Sequence, residues 1–205
     1  MKITRIPTGM LSVNTYYVVC ENTKKGFIVD PGGYDSTLAK DIKSDDVTIT
    51  HIILTHAHHD HMGGVKEFMK EFPEAKLVVY KDETKLLQDA DANFSNYFGQ
   101  PVVLEADIYV GDGDTLNVGD LELKFIHTPG HTPGGMCIYV GGSLFSGDTL
   151  FRQSIGRTDF PGSSFADLKK SIHEKLFILP EETRVLPGHM DESSIGFEKN
   201  HNPFV

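Results

Sequence analysis

Ten histidines are spread through 205 residues, yet four fall within the run "THAHHDH": His56, His58, His59 and His61, with Asp60 between the last two. Neutral imidazole combined with carboxylate suits zinc, iron or manganese, so the run reads as part of a metal site. In an extended backbone side chains repeat with period two, so His56, His58 and Asp60 project to one side. His61 joins them if the backbone begins to wind into a helix after Gly63-Gly64, whose small residues allow a tight entry. His59 then points away from His58 and Asp60, toward solvent or a supporting contact rather than a ligand role.

Three further segments each end a strand in a glycine-rich turn with a potential ligand: "TPGHTPGG" with His131, "FSGDTLF" with Asp148 and "LPGH" with His189. Singly, a structural turn explains each as well as metal does. Together with His56, His58, Asp60 and His61 they make five histidines and two aspartates, too many for one tetrahedral ion. The set divides between two divalent ions, one held by His56, His58 and His131, the other by Asp60, His61 and His189, with Asp148 bridging. Zinc is the first expectation, with iron and manganese as alternatives. Two such ions, two carboxylates and a bridging hydroxide leave about +1 in a confined site, which favours an anionic transition state. Metal lowers the pKa of bound water toward ~7, so hydroxide is available at neutral pH. His127, at a strand end, is a weaker ligand candidate, and His51, His173 and His201 read as ordinary polar residues.

The elements that must position these groups are mixed throughout. Apolar alternation and β-branched content suggest strands near 13–20, 26–30, 51–54, 76–80, 121–127, 136–140, 143–147 and 183–186. Helical stripes run through Val65, Phe68, Met69 and Phe72 and, after the N-cap candidate Ser164, through Phe165, Leu168, Ile172 and Leu176. A weak internal echo joins the halves: "FIVDPGG" with Asp30 and "LFSGDTL" with Asp148 both end a strand in an aspartate and a turn. Two related halves, each a sheet covered by helices, predict an α+β chain folded as an αββα four-layer sandwich, with strand ends meeting along one edge. No linker or low-complexity tract marks a boundary, so residues 1–205 are expected to form one domain.

Composition narrows the function classes. Acidic residues outnumber basic ones, 29 to 19, for a formal charge of −10, so a polyanion such as nucleic acid is not an expected partner. The two cysteines, Cys20 and Cys137, lie far apart in apolar runs and form no CxxC, which reads as buried reduced thiols. With no signal-peptide h-region in "MKITRIPTGML" and no long apolar span, the expectation is a soluble cytoplasmic protein without a membrane partner. Nothing in the sequence fixes the oligomeric state.

The set His56, His58, Asp60, His61, His131, Asp148 and His189 resembles the metallo-β-lactamase-fold hydrolases, over nearly the whole chain. The closer likeness is to the glyoxalase II-like branch, hydroxyacylglutathione hydrolases among them, through "GHTPGG", "FSGDTLF" and "SIGRTDFPGSS" from Ser154 to Ser164. The resemblance implies an αββα sandwich with a dinuclear site at the sheet edge. It also implies hydrolysis of a small-molecule thioester such as an S-2-hydroxyacyl thiol, with a metal-bridging hydroxide attacking the carbonyl and Asp60 orienting the nucleophile. True metallo-β-lactamases usually lack either the His61 or the Asp148 equivalent, which disfavours β-lactam hydrolysis. Flavo-diiron oxygen reductases typically carry glutamate where His58 stands. The chain ends at Val205, soon after the last ligand, as a short form without the C-terminal helical region with which glyoxalase II enzymes grip glutathione, so glutathione specificity is not carried over.

Persulfide dioxygenases share the "GRTDF" run and most ligand positions. They would use one iron on His56, His131 and Asp148. A lactonase would use the same site chemistry as the thioesterase. A purely structural metal role fits poorly, because structural zinc sites are closed by four ligands, often cysteines, and both cysteines lie outside the constellation. Candidate substrate contacts are Phe94, Tyr97 and Phe98 in "DADANFSNYFG", as a wall over the metals or as core, and Arg157, either free for an anionic substrate or paired with Asp159; Arg152 is a further cation close to Asp148.

Overall fold

Tyr16 and Val18 face one apolar cluster while Tyr17 and Val19 face another, the period-two signature of a strand buried on both sides. That strand belongs to the first of two large sheets in the computed structural model, which describes all 205 residues. In this sheet β1 (Lys2–Thr8), β2 (Val13–Cys20) and β3 (Lys25–Val29) are antiparallel, and β4 (Thr48–Ile53), β5 (Lys76–Tyr80) and β6 (Ile108–Val110) continue it in parallel. Its outer face is covered by α1 (Ser36–Ser44) and α3 (Val65–Glu71), with the short α2 (His59–Met62) and α4 (Thr84–Gln88) at the strand ends.

The second sheet also has six strands. Here β7 (Thr115–Val118), β8 (Leu121–His127), β9 (Met136–Val140) and β10 (Ser143–Gly147) form an antiparallel meander; β13 (Arg184–Pro187) joins β10 in parallel, and β14 (Ser193–Ser194) closes the edge. A small ribbon, β11 (Leu150–Phe151) with β12 (Ser154–Ile155), lies between. The outer face carries α5 (Phe165–Ser171), which loosens into a π turn over Ile172–Leu176, and α6 (Ile195–His201). Ser164 caps α5 by accepting from the Asp167 N–H, as the sequence suggests, but Phe165 is half exposed and only Leu168, Ile172 and Leu176 face the core.

Three cores separate the layers: one under α1 and α3, one between the sheets around Phe27, Phe125 and Phe145, and one under α5. This is the αββα sandwich expected from the two-half pattern. Phe145 alone meets Tyr16 and Phe27 edge-on at centroid distances of 5.2 and 6.1 Å, so truncating it to alanine would cost about 3–5 kcal/mol. The echo is real at the level of topology: β3–α1–β4 and β10–α5–β13 are both parallel crossovers. The four strands of these two crossovers, β3, β4, β10 and β13, end at one edge, followed by Asp30, His56, Asp148 and His189 respectively. Loops at the carboxyl ends of parallel strands are where such sheets gather ligands.

Candidate metal centre

All seven expected ligands converge at that edge. The turn into helix comes earlier than the sequence suggested: His58 is still extended, and winding begins at His59, before Gly63-Gly64, with the His61 N–H donating to the His58 carbonyl at 3.0 Å. That single turn swings His61 toward His56, their ring centroids 4.0 Å apart. The glycines serve close packing rather than helix entry, since a Cβ on Gly63 would lie 2.6 Å from the Gly32 carbonyl oxygen and one on Gly32 2.0 Å from that of Asp60. The "DPGG" and "HHDH" turns therefore lock together through backbone.

The ligand atoms form two groups and a link. His56, His58 and His131 make one cluster, Asp60, His61 and His189 another, and His56, His61 and Asp148 connect them; within each group the ligand atoms lie within 4.8 Å of one another. The three imidazoles of the first cluster stand edge-on to each other, with centroids 4.7–4.8 Å apart. Asp148 stands between the two: Oδ1 lies 3.3 Å from His61 Nε2, and Oδ2 lies 3.6 Å from His131 Nε2 and 3.8 Å from His189 Nε2. In the second cluster His189 Nε2 is 3.1 Å from Asp60 Oδ2.

The donor set fits divalent metal. His56 Nε2, His61 Nε2 and Asp148 Oδ1 are buried and make no well-aligned hydrogen bond. A buried group left without a partner costs about 1–3 kcal/mol, which a cation would remove at His56, while at His61 and Asp148, 3.3 Å apart, it would take the place of the proton between them.

Neighbouring groups fix which nitrogen faces inward. The Asp30 carboxylate accepts from the Thr55 N–H at 2.7 Å, the Thr55 hydroxyl at 2.6 Å and His61 Nδ1 at 3.0 Å, leaving His61 Nε2 free to coordinate. Thr55 Oγ1, its proton given to Asp30, can accept from His56 Nδ1 at 3.2 Å. His131 Nδ1 donates to the Arg157 carbonyl at 2.7 Å. The His189 loop is held by Asn14, whose Nδ2 donates to the Pro187 and Met190 carbonyls, and by the Tyr16 hydroxyl on Pro187. Gly188 lets it close down, as a Cβ there would sit 2.5 Å from Asp148 Oδ1.

Glu83 ties two ligand loops together from below: fully buried, it accepts from the Ala57 N–H and the Gly134 N–H, both at 2.9 Å. Burial pushes its carboxyl up to about 7 against these two bonds, which favour the anion. Neither Asp30 nor Glu83 is a ligand candidate on sequence grounds. The "FIVDPGG" echo pointed at Asp30 without giving it a role, and an isolated acid such as Glu83 carries no spacing signal.

The electrostatics of the two clusters differ. Burial is the largest influence on His56 and His58; with nearby imidazoles it pushes His56 well below the usual histidine value and His58 down to about 3, so both are neutral. At His61 burial also opposes charge, but Asp148, Asp60 and Asp30 outweigh it and hold the imidazole well above its usual value. Burial would raise the carboxyls of Asp60 and Asp148, yet His61 and its neighbours keep both below the ordinary range. His189 is held up against burial by its bond to Asp60 and by Asp148.

The remaining candidates separate cleanly. His59 stacks on Phe98 at 5.1 Å and stays out of both clusters. His127 stacks on Tyr80 at 4.1 Å and pairs through Nε2 with the Pro133 carbonyl, away from the ligands. Phe94, Tyr97 and Phe98 belong to none of the three cores and line a cavity of about 810 Å³ over the ligands, together with Arg157. The Arg157 guanidinium is not free for an anion: it forms a two-pronged pair with Asp159 at 3.0 and 2.9 Å, and what the residue gives the centre is its backbone carbonyl. Arg152 turns away to Phe197 and the Glu192 carbonyl. Cys20 and Cys137 are buried and unpaired, and no helix is long and apolar enough to cross a membrane.

The sequence family described as the metallo-beta-lactamase superfamily matches residues 8–189. A Bacillus subtilis protein named probable metallo-hydrolase YqgX is 37% identical, covering 100% of this chain and 98% of its own. Haemophilus influenzae hydroxyacylglutathione hydrolase GloC is 31% identical, with 100% and 98% covered. Among solved structures, BLEG-1 B3 metallo-beta-lactamase aligns with a TM-score of 0.92 at 38% identity over 99% of both chains. TTHA1623 in a di-iron-bound form aligns at 0.86 and 30% over 98% and 100%, and ETHE1 from Myxococcus xanthus at 0.80 and 29% over 99% and 84%. These likenesses span several branches at similar identity, so overall similarity alone does not choose among them. What they share with the converging histidines and aspartates is a common framework, and on both grounds this chain belongs to the metallo-beta-lactamase superfamily and its centre is that of a metal-dependent hydrolase.

Proposed function

We propose that the chain hydrolyses a thioester, an S-2-hydroxyacyl thiol in the manner of the glyoxalase II-like branch, at a centre of two divalent ions, zinc first. The observation that carries this reading is Asp148, which stands between the clusters within 3.6 Å of His131 in one and within 3.3 and 3.8 Å of His61 and His189 in the other, the place of a carboxylate shared by two ions. A relative named hydroxyacylglutathione hydrolase and a structural neighbour in a di-iron-bound form support it. When bound, two such ions supply hydroxide at neutral pH and stabilise negative charge on the carbonyl oxygen.

The chain's own residues do the rest. His56, His58 and His131 would hold one ion, Asp60, His61 and His189 the other. Asp60 lines the cavity as an anion, placed to orient the attacking water and accept its proton. Phe94 and Phe160, each within 5.3 Å of the His58 ring, keep bulk water from that side. Outside the ligand set the titratable side chains lining the cavity are His59, Tyr97 and Arg157, so no further carboxylic acid waits for a poor leaving group. A thiolate needs none.

The test pairs metal analysis with turnover. Protein purified without added metal is expected to hold two ions per chain and to cleave a lactoyl thioester equally with and without oxygen. One iron per chain with oxygen-dependent consumption of glutathione persulfide would overturn the reading in favour of a persulfide dioxygenase. Because a B3 metallo-beta-lactamase structure is 38% identical, a cephalosporin belongs in the same assay, and faster turnover of it than of any thioester would also overturn the assignment.

A further inference from the structure

The cavity over the ligands, about 810 Å³, is of a size that holds a whole ligand rather than a small acyl group alone. One wall is aromatic: Phe94 and Phe160 lie 5.1 Å apart and Tyr97 continues the row 6.2 Å from Phe94. Leu11 and Met190 also line the cavity, both more than half exposed, as is Tyr97. Exposed large apolar side chains gathered at one rim mark a binding surface rather than ordinary scatter. Phe94 and Met190 also sit in left-handed backbone at φ 67°, a cost of about 1–3 kcal/mol that persists only where surrounding structure holds it. Met190 is held through its carbonyl by Asn14 Nδ2 at 2.8 Å.

Charge in the cavity is equally uneven. Its one arginine, Arg157, is already answered by Asp159 and lies 4.4 Å over the Phe160 ring. Beyond the ligand cluster, a carboxylate entering this space finds no free cation, and the chain around it carries a formal charge of −10.

Resting on the thioester reading, we infer that the thiol carrier of the substrate is uncharged and apolar, an alkyl or aryl thiol seated between the Phe94–Phe160 wall and the Leu11–Met190 rim, and not a peptide thiol bearing carboxylates. Hydrolysis then bonds the oxygen of water to the carbonyl carbon and breaks the C–S bond. Sulfur leaves with the electron pair and takes a proton originating from that water, giving a carboxylic acid and the free apolar thiol.

The experiment compares one acyl group on two thiols of similar acidity, S-lactoyl benzyl mercaptan and S-lactoylglutathione, with the metal-loaded protein. The benzyl thioester is expected to have a kcat/KM at least about tenfold higher. Phe160→Ala and Phe94→Ala should shrink that ratio mainly through KM, and Phe94→Leu should restore part of it. Equal or faster cleavage of the glutathione thioester overturns the inference while leaving thioester hydrolysis standing. A second arm uses thioethers in which methylene replaces the carbonyl and reads binding by calorimetry. Tighter binding of the benzyl compound without turnover of either thioester would uphold the apolar cavity and sink the hydrolytic reading, whereas no preference in binding would overturn the inference by itself.

Discussion

The two ligand clusters lie side by side, yet they meet the cost of burial in opposite ways. The three-histidine cluster is deep, with His56, His58 and His131 each at most 6% exposed, and His56 and His58 stay neutral because burial drives off the proton. The acidic cluster opens to the cavity, with the Asp60 and His189 side chains 17% and 25% exposed, and balances itself by pairing a proton-holding His61 with Asp60, Asp148 and Asp30. In one cluster two of the imidazoles, His56 and His58, carry no charge for a cation to displace. The other is a set of ion pairs that a cation must break into. Metal should therefore enter the two with different affinity and different pH dependence.

The largest effect is expected where the clusters meet. Asp148→Ala removes the carboxylate facing both, leaving two cations to confront each other across the gap, so metal content should fall from two ions toward one and turnover by on the order of a thousandfold or more. Metal analysis and kcat measured on the same sample decide it, and normal loading with normal turnover would sink the shared-carboxylate assignment.

Asp30→Asn should act on the acidic cluster alone. The amide can still accept from the Thr55 N–H, but its NH2 confronts His61 Nδ1, so His61 is pushed into the tautomer that turns a proton toward the metal. Affinity for the second ion should drop by roughly 10- to 100-fold, with the first little changed. Equal loss at both would mean that Asp30 supports the whole edge rather than one ligand.

The pH contrast follows from the protonation states. His61, held above its usual value, contributes stability to the metal-free protein that is fully present below about pH 6.5 and lost as pH rises through its raised value. Metal competes with that same proton. Affinity for the second ion should thus rise about tenfold per pH unit around neutrality with release of at least one proton, while His56 and His58 have none to give. Calorimetric titration in two buffers of different ionisation enthalpy reads the proton count at each step, and matching counts would erase the distinction.

How much of this was legible beforehand depended on whether a residue announced itself through spacing. The seven candidate ligands stand out as a dense motif and three glycine-flanked singles, and β2, β5, β8, β9 and β10 have the bounds that the apolar pattern suggests, β8 because it alternates apolar residues with exposed Glu122 and Lys124 and the others because largely buried strands are nearly continuous apolar runs. Edge elements were silent. β1 is half exposed and carries Pro7, β6 has three residues, and β7 is polar on one face. Helix α1 escaped notice although Asp35 caps it, since only Leu38, Ala39 and Ile42 are buried and they make too short a stripe to register. Arg157 shows a different limit: its side chain drew attention by charge, but its contribution to His131 is a carbonyl that every residue possesses. The Phe94–Phe98 stretch was ambiguous between wall and core because periodicity cannot tell an apolar residue that faces a cavity from one that faces packing.

The smallest effect is expected at His59, and its neighbour makes it informative. His59→Ala removes a ring stacked on Phe98 at the cavity edge, so metal stoichiometry should remain two per chain and turnover fall by only a few-fold, about 0.5–1 kcal/mol of aromatic contact. His58→Ala, one residue earlier, removes a donor whose Nδ1 lies 3.0 Å from His131 Nε2, and should cost the three-histidine cluster its ion. The two variants differ by one position on the chain and by almost the whole function of the site, because the backbone is extended at His58 and helical from His59 onward. Metal lost from His59→Ala and kept in His58→Ala would place the helical turn one residue away from where it stands here, and with it the division of ligands between the clusters.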